Sequence, residues 1–151
     1  MSTATLNVPA TTDEAAILAI LDNLSQAHFT KNTALFAVQF APGAPIFNLA
    51  PPLIHHGVNT VEKQAWFDSW ATPVIIEPRD FHVTVSGDLA FCHGYLRLAG
   101  TKKGPEGTVS FWMRETLCLE RQGNDWKIVH EHASVPFYMD ATLRPAFDLH
   151  P

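Results

Sequence analysis

The stretch Phe81-His82-Val83-Thr84-Val85-Ser86-Gly87-Asp88 decides the fold class, because apolar residues fall at every second position and a turn pair follows at once. A period of two means a half-buried strand, and Gly87-Asp88 folds it back as a hairpin. Toward the C-terminus the same character continues: a run over 89–98, a polar, glycine-bearing loop over 100–107, a long run over 108–120 and a last one over 126–137. Toward the N-terminus the period becomes helical. Thr11 and Glu14 have capping-box spacing ahead of Ile17, Ile20, Leu21, Leu24 and His28, which predicts a helix over 13–28. Asn32 caps a shorter helix carrying Leu35, Phe36 and Phe40, ended by Pro42-Gly43. Asn59 with Glu62 opens a third, through Val61, Ala65, Trp66 and Trp70, that Pro73 stops. Between these lies a short apolar strand over 45–49, closed by Pro51-Pro52 into a loop through His55-His56-Gly57. Helices first and strands afterwards predict an α+β domain, three N-terminal helices packed on a curled antiparallel sheet.

The totals narrow the function classes. A chain of 151 residues fits one domain, over 1–151 with its core at about 13–137, and the ends 1–9 and 141–151 read as loose. A net charge of −5, with no basic cluster larger than Lys102-Lys103, argues against nucleic acid as a partner. Without an apolar run of about 18 residues, or the basic and apolar start of a secretory signal, the expectation is a cytoplasmic protein away from membranes. Cys92 and Cys118 lack CxxC spacing and are expected as free, buried thiols. None of GxGxxG, GxxxxGK[ST], GxSxG or HExxH occurs, which removes the usual support for nucleotide-dependent and classical serine-hydrolase chemistry.

The candidate site comes from the last hairpin. An odd-length loop within 121–125 would oppose Thr116 to His130, Arg114 to His132 and Trp112 to Ser134, collecting all six on one face. The other face holds Phe111, Met113, Leu117, Leu119, Val129, Ala133 and Val135 and is too apolar for water. The expectation is therefore that the polar face lines a small-molecule cavity under the helices, and that the apolar outer face is covered by a second copy in a homodimer. In that cavity His130 or His132 would transfer protons, since a histidine titrates near neutrality, and Arg114 would hold a developing oxyanion. His93 groups by alternation with Phe91, Tyr95 and Arg97, and its face is left open.

Two other readings of these residues compete. The histidines could be hydrogen-bonded core residues with Arg114 paired to Glu115, Glu120 or Glu131. Alternatively, His130 and His132 with His93, His55 or His56 could ligate a metal. Trp66, Phe67, Trp70 and Trp126 read as core, and His55-His56-Gly57 as an exposed turn at the rim of the pocket.

The segments 40–53 (FAPGAPIFNLAPPL), 112–116 (WMRET) and 126–137 (WKIVHEHASVPF) resemble the SnoaL-like branch of the nuclear-transport-factor-two-like superfamily, which also holds ketosteroid isomerase. The resemblance runs from about Asp13 to Phe137. It implies a cone-shaped, usually dimeric domain with a cavity between the helices and the concave sheet face. It also implies a range of activities: isomerases, polyketide cyclases, dehydratases, epoxide hydrolases and proteins that only bind. In many relatives the strand before the double proline offers an aspartate; this chain has Asn48, and an amide cannot act as a base. The expectation is thus a small-molecule protein working without an organic cofactor, as an isomerase, cyclase, dehydratase or hydrolase. In it the pocket histidines transfer protons, and Asn48 and Thr116 orient the ligand. The alternatives are a non-catalytic binding module and a metal-dependent enzyme.

Overall fold

The computed structural model describes residues 11–151. The expectations for the chain start, a loose end and no secretory signal, fall largely outside these residues. Helix α1 (Thr12–Thr30) opens on the expected capping box, with the Thr11 hydroxyl accepting the Glu14 N–H and the Glu14 carboxylate accepting the Thr11 N–H. Helices α2 (Thr33–Ala37) and α3 (Thr60–Asp68) start where Asn32 and Asn59 supply side-chain caps. The strands are β1 (Pro45–Phe47), β2 (His55–His56), β3 (Ile75–Ser86), β4 (Leu89–Thr101), β5 (Thr108–Gln122) and β6 (Asp125–Ser134). They form one mixed sheet in the order β2-β1-β6-β5-β4-β3, antiparallel except where β1 runs parallel to β6.

One face of this sheet packs on the helices. Ile17, Ile20, Leu21 and Leu24 of α1 meet Ala90, Cys92, Leu117, Leu119, Trp126 and Ile128 in the main core. Asp13 fastens α1 to the last hairpin by accepting from Arg121 at 2.7 Å and from the Trp126 indole at 3.2 Å. Two glycines let aromatic rings lie flat on the strands: a Cβ at Gly94 would come within 2.6 Å of the Phe81 ring, and one at Gly100 within 2.9 Å of Trp70.

Two expectations are corrected here. The β5–β6 turn holds only Gly123-Asn124, with Gln122 opposite Asp125, so the loop is even rather than odd. A bulge then leaves Val129 without an opposite residue, because Leu119 faces Ile128 while Cys118 faces His130. The two departures compensate in parity, so Arg114, Thr116, His130, His132 and Ser134 do share a face, two residues out of the expected register: Thr116 faces His132 and Arg114 faces Ser134. That face, however, is the outer one. The apolar side of the helices requires an apolar counterpart, so Leu117, Leu119 and Ile128 go under the helices and the polar set goes out.

The tail is the second correction. Rather than hanging loose, it turns back, with Ala146 N–H donating to Pro136 O, Tyr138 OH donating to Asp148, and the Phe147 ring tilted against the Phe111 ring at 4.4 Å between centroids.

Candidate functional site

A cavity of about 460 Å³ lies between the helices and the inner face of the sheet. Alternation on β4 and β5 sends Leu96, Leu98, Phe111 and Met113 into it, α1 and α2 add Leu24 and Phe36, and α3 adds Trp66. The same alternation carries Glu115 inward between Met113 and Leu117, and the bulge at Val129 puts Glu131 inward on β6 beside Ala133. Two carboxyl groups therefore share an otherwise apolar wall.

Glu115 is buried, and its Oε2 meets no donor among the described residues. Burial, reinforced by the neighbouring Glu131 charge, holds its acidity well above the ordinary carboxylate range. Glu131 is also raised by burial, with the charge of Lys63 and the hydrogen bond from Glu115 pulling the other way. Both directions suit Glu115 as the proton donor of the pair and Glu131 as its acceptor.

Across the cavity stands a second pair. The Nδ1 of His28 is 2.7 Å from the Leu24 carbonyl, which can only accept, so Nδ1 carries the proton and Nε2 offers a lone pair. Lys63 Nζ donates to that Nε2 at 3.1 Å. Burial, together with the Lys63 charge, pushes His28 down to about 3, so at neutral pH this imidazole stays uncharged. Burial likewise lowers Lys63 to about 8, against the partial support of Glu131 and Glu115.

Near the entrance the lining is Asn48, Leu49, Pro51, His55, Asn59 and Glu62. Asn48 Oδ1 accepts the Leu49 N–H at 2.7 Å, which leaves its amide N–H groups for a ligand oxygen. Trp70 closes another part of the wall, and its indole N–H has no acceptor among the described residues. The unpaired Trp70 donor and the unpaired Glu115 acceptor both belong to cavity-lining residues, and both atoms are themselves shut off from solvent.

Of the residues expected in the pocket, only Asn48 lines it; His55, expected at the rim, lines the mouth from strand β2. His130 and His132 lie on the outer face, edge-on to Phe47 at 4.8 and 5.3 Å, and His130 Nδ1 is 2.8 Å from Pro45 O. Arg114 Nε donates to Ser134 there, and Thr116 stands between His93 and His132. His93 is stacked with Phe91, and Trp112 lies under Arg79. Among the described residues no group of three or more His, Cys, Asp or Glu converges to hold an ion, so His93, His130 and His132 do not form one centre.

The candidate functional residues that sequence reasoning missed are Glu115, Glu131, Lys63 and His28. Their signal was present: each glutamate interrupts an apolar alternation, and Lys63 shares a helical stripe with Trp66, Phe67 and Trp70.

Comparison with known proteins agrees with this architecture. The profile of the SnoaL-like domain matches residues 15–138. An NTF2-like protein of unknown function from Pseudomonas putida superposes with a TM-score of 0.81 at 27% identity, covering 94% of this chain and 99% of that one. A protein provisionally titled a ketosteroid isomerase, from Shewanella frigidimarina, gives 0.64 at 20% identity over 79% and 94% of the two chains. One provisionally titled a dehydratase, from Streptomyces avermitilis, gives 0.71 at 15% identity over 82% and 95%. No curated protein matches the chain.

Proposed function

The chain belongs to the SnoaL-like family, and from that premise we propose that it is an acid–base enzyme moving a proton on a small, mainly apolar carbonyl compound, with Glu115 and Glu131 as the proton-exchanging pair. The observation that carries this is the placement of two carboxyl groups on the wall of one cavity, both raised by burial, so that one can hold a proton and the other accept it. Such a pair supplies an acid and a base at one pH without solvent as intermediary. The apolar remainder of the cavity suits a hydrocarbon skeleton, and Asn48 offers N–H donors to its oxygen. The proton-transfer role expected for His130 and His132 passes to the glutamates, because the two histidines face away from the cavity.

The test is hydrogen–deuterium exchange at the α-carbon of 2-tetralone in deuterium oxide, followed by proton NMR. The protein should accelerate exchange well above buffer, and Glu115→Gln should slow it by about 10²–10⁴. Exchange at the buffer rate, or equal rates in wild type, Glu115→Gln and Glu131→Gln, would reject the reading. Tight binding without exchange would point instead to a ligand carrier.

The proposal includes a homodimer through the outer sheet face. Phe91 and Tyr95 are 45% and 39% exposed there, beside Trp112, His93 and His132. An aromatic surface of that kind on a sheet is suited to association with a second copy.

A further inference from the structure

Lys63 is placed unusually for a lysine. Its Nζ lies 3.9 Å from the centre of the Phe36 ring, 4.5 Å from Trp66 and 4.9 Å from Phe67, and its hydrogen-bond partner is the neutral imidazole of His28. The ion pairs among the described residues, Arg97 with Glu77 and Arg121 with Asp13 and Asp88, do not include it. An ammonium in such a site has given up water for ring faces and one acceptor, so the uncharged amine is strongly favoured relative to a surface lysine. The amine lines the same cavity as Glu115 and Glu131 and forms an ion pair with neither.

We propose that Lys63 is a nucleophile and that the substrate is an aldehyde or ketone, which it captures as an imine, so that the glutamate pair works on a covalently held substrate. This rests on the proton-transfer reading above and specifies its substrate class. The lone pair of Nζ attacks the carbonyl carbon, the C–N bond forms, and the carbonyl π pair moves onto oxygen. Glu115 protonates that oxygen, and the nitrogen returns one proton to the pair, giving a neutral carbinolamine. A second proton from Glu115 lets the hydroxyl leave as water, and an iminium remains with the pair one proton short. The pair then takes the α-proton, the C–H electrons neutralise the iminium as an enamine, and the shared proton is restored. No oxidant or further reactant is required.

The experiment treats the full chain with cinnamaldehyde and sodium cyanoborohydride near neutral pH and locates the reduced adduct by peptide mass spectrometry. The expected result is one adduct per chain at Lys63, formed roughly tenfold or more faster than at Lys31, Lys102, Lys103 or Lys127, and absent from Lys63→Arg. Labelling of Lys63 no faster than of Lys103 or Lys127 overturns the proposal, and the wild-type protein alone decides this. The 2-tetralone exchange separates the two readings. If exchange survives in Lys63→Arg but is lost in Glu115→Gln, the imine falls and the proton-transfer pair stands. If Lys63 is labelled while the wild type catalyses no exchange, the role of the glutamates falls and the nucleophile stands.

Discussion

Glu115 and Lys63 depart from their ordinary acidities in opposite directions, and linkage turns each into a dependence of stability on pH. Glu115 is raised above 4.5, so over the range from about 4.5 upward the folded chain holds a proton that the unfolded chain has released, and its contribution to stability declines as pH rises. Glutamine in its place keeps the shape and a donor for Glu131 but cannot ionise. Glu115→Gln should therefore melt at a higher temperature than wild type at neutral pH, with the difference shrinking toward pH 4.5 while exchange activity is lost. Lys63 runs the other way. Lowered to about 8 from 10.5, it makes stability rise with pH between those values, and Lys63→Met should remove that rise in thermal melts.

At the scale of elements, the site depends on a few local features that set which residues face inward. Gly100 is one. A methyl group there would meet the Trp70 ring at 2.9 Å and the Pro73 carbonyl at 3.1 Å. Gly100→Ala should cost about 1–3 kcal/mol in chemical denaturation and shift the tryptophan emission, because Trp70 has to leave its seat on the sheet. The caps at Thr11, Asn32 and Asn59 and the hairpin at Gly87-Asp88 were legible in the chain, since each is a local contest between side-chain and backbone hydrogen bonds. The inner face of the sheet was not. Alternation sorts residues into two sets without saying which set the helices cover, and the bulge at Val129 is invisible to a period-two reading. Grouping Arg114, Thr116, His130, His132 and Ser134 was right, but placing them in the pocket was not. The apolar set under the helices was interrupted by Glu115 and Glu131, and those interruptions mark the proposed site.

For the whole molecule, the outer face makes the prediction. Light scattering on the purified chain should give twice the mass of one copy, and Phe91→Glu combined with Tyr95→Glu should give a single copy that keeps the helical circular-dichroism signal. A wild-type monomer at high concentration would remove the dimer from the proposal. The clasp between Asp13 and the Arg121–Trp126 hairpin has a different consequence, one that belongs to biosynthesis. Its two hydrogen bonds join residues 108 and 113 positions apart in sequence, and the apolar stripe of α1 rests largely on strands made after it. At ribosomal speeds of about 5–20 residues per second, that stripe waits roughly 5–20 s for its cover. During that interval the nascent chain presents Ile17, Ile20, Leu21 and Leu24 to solvent or to a chaperone. A slow codon downstream of those for α1 would lengthen that exposure, whereas one upstream of them would not.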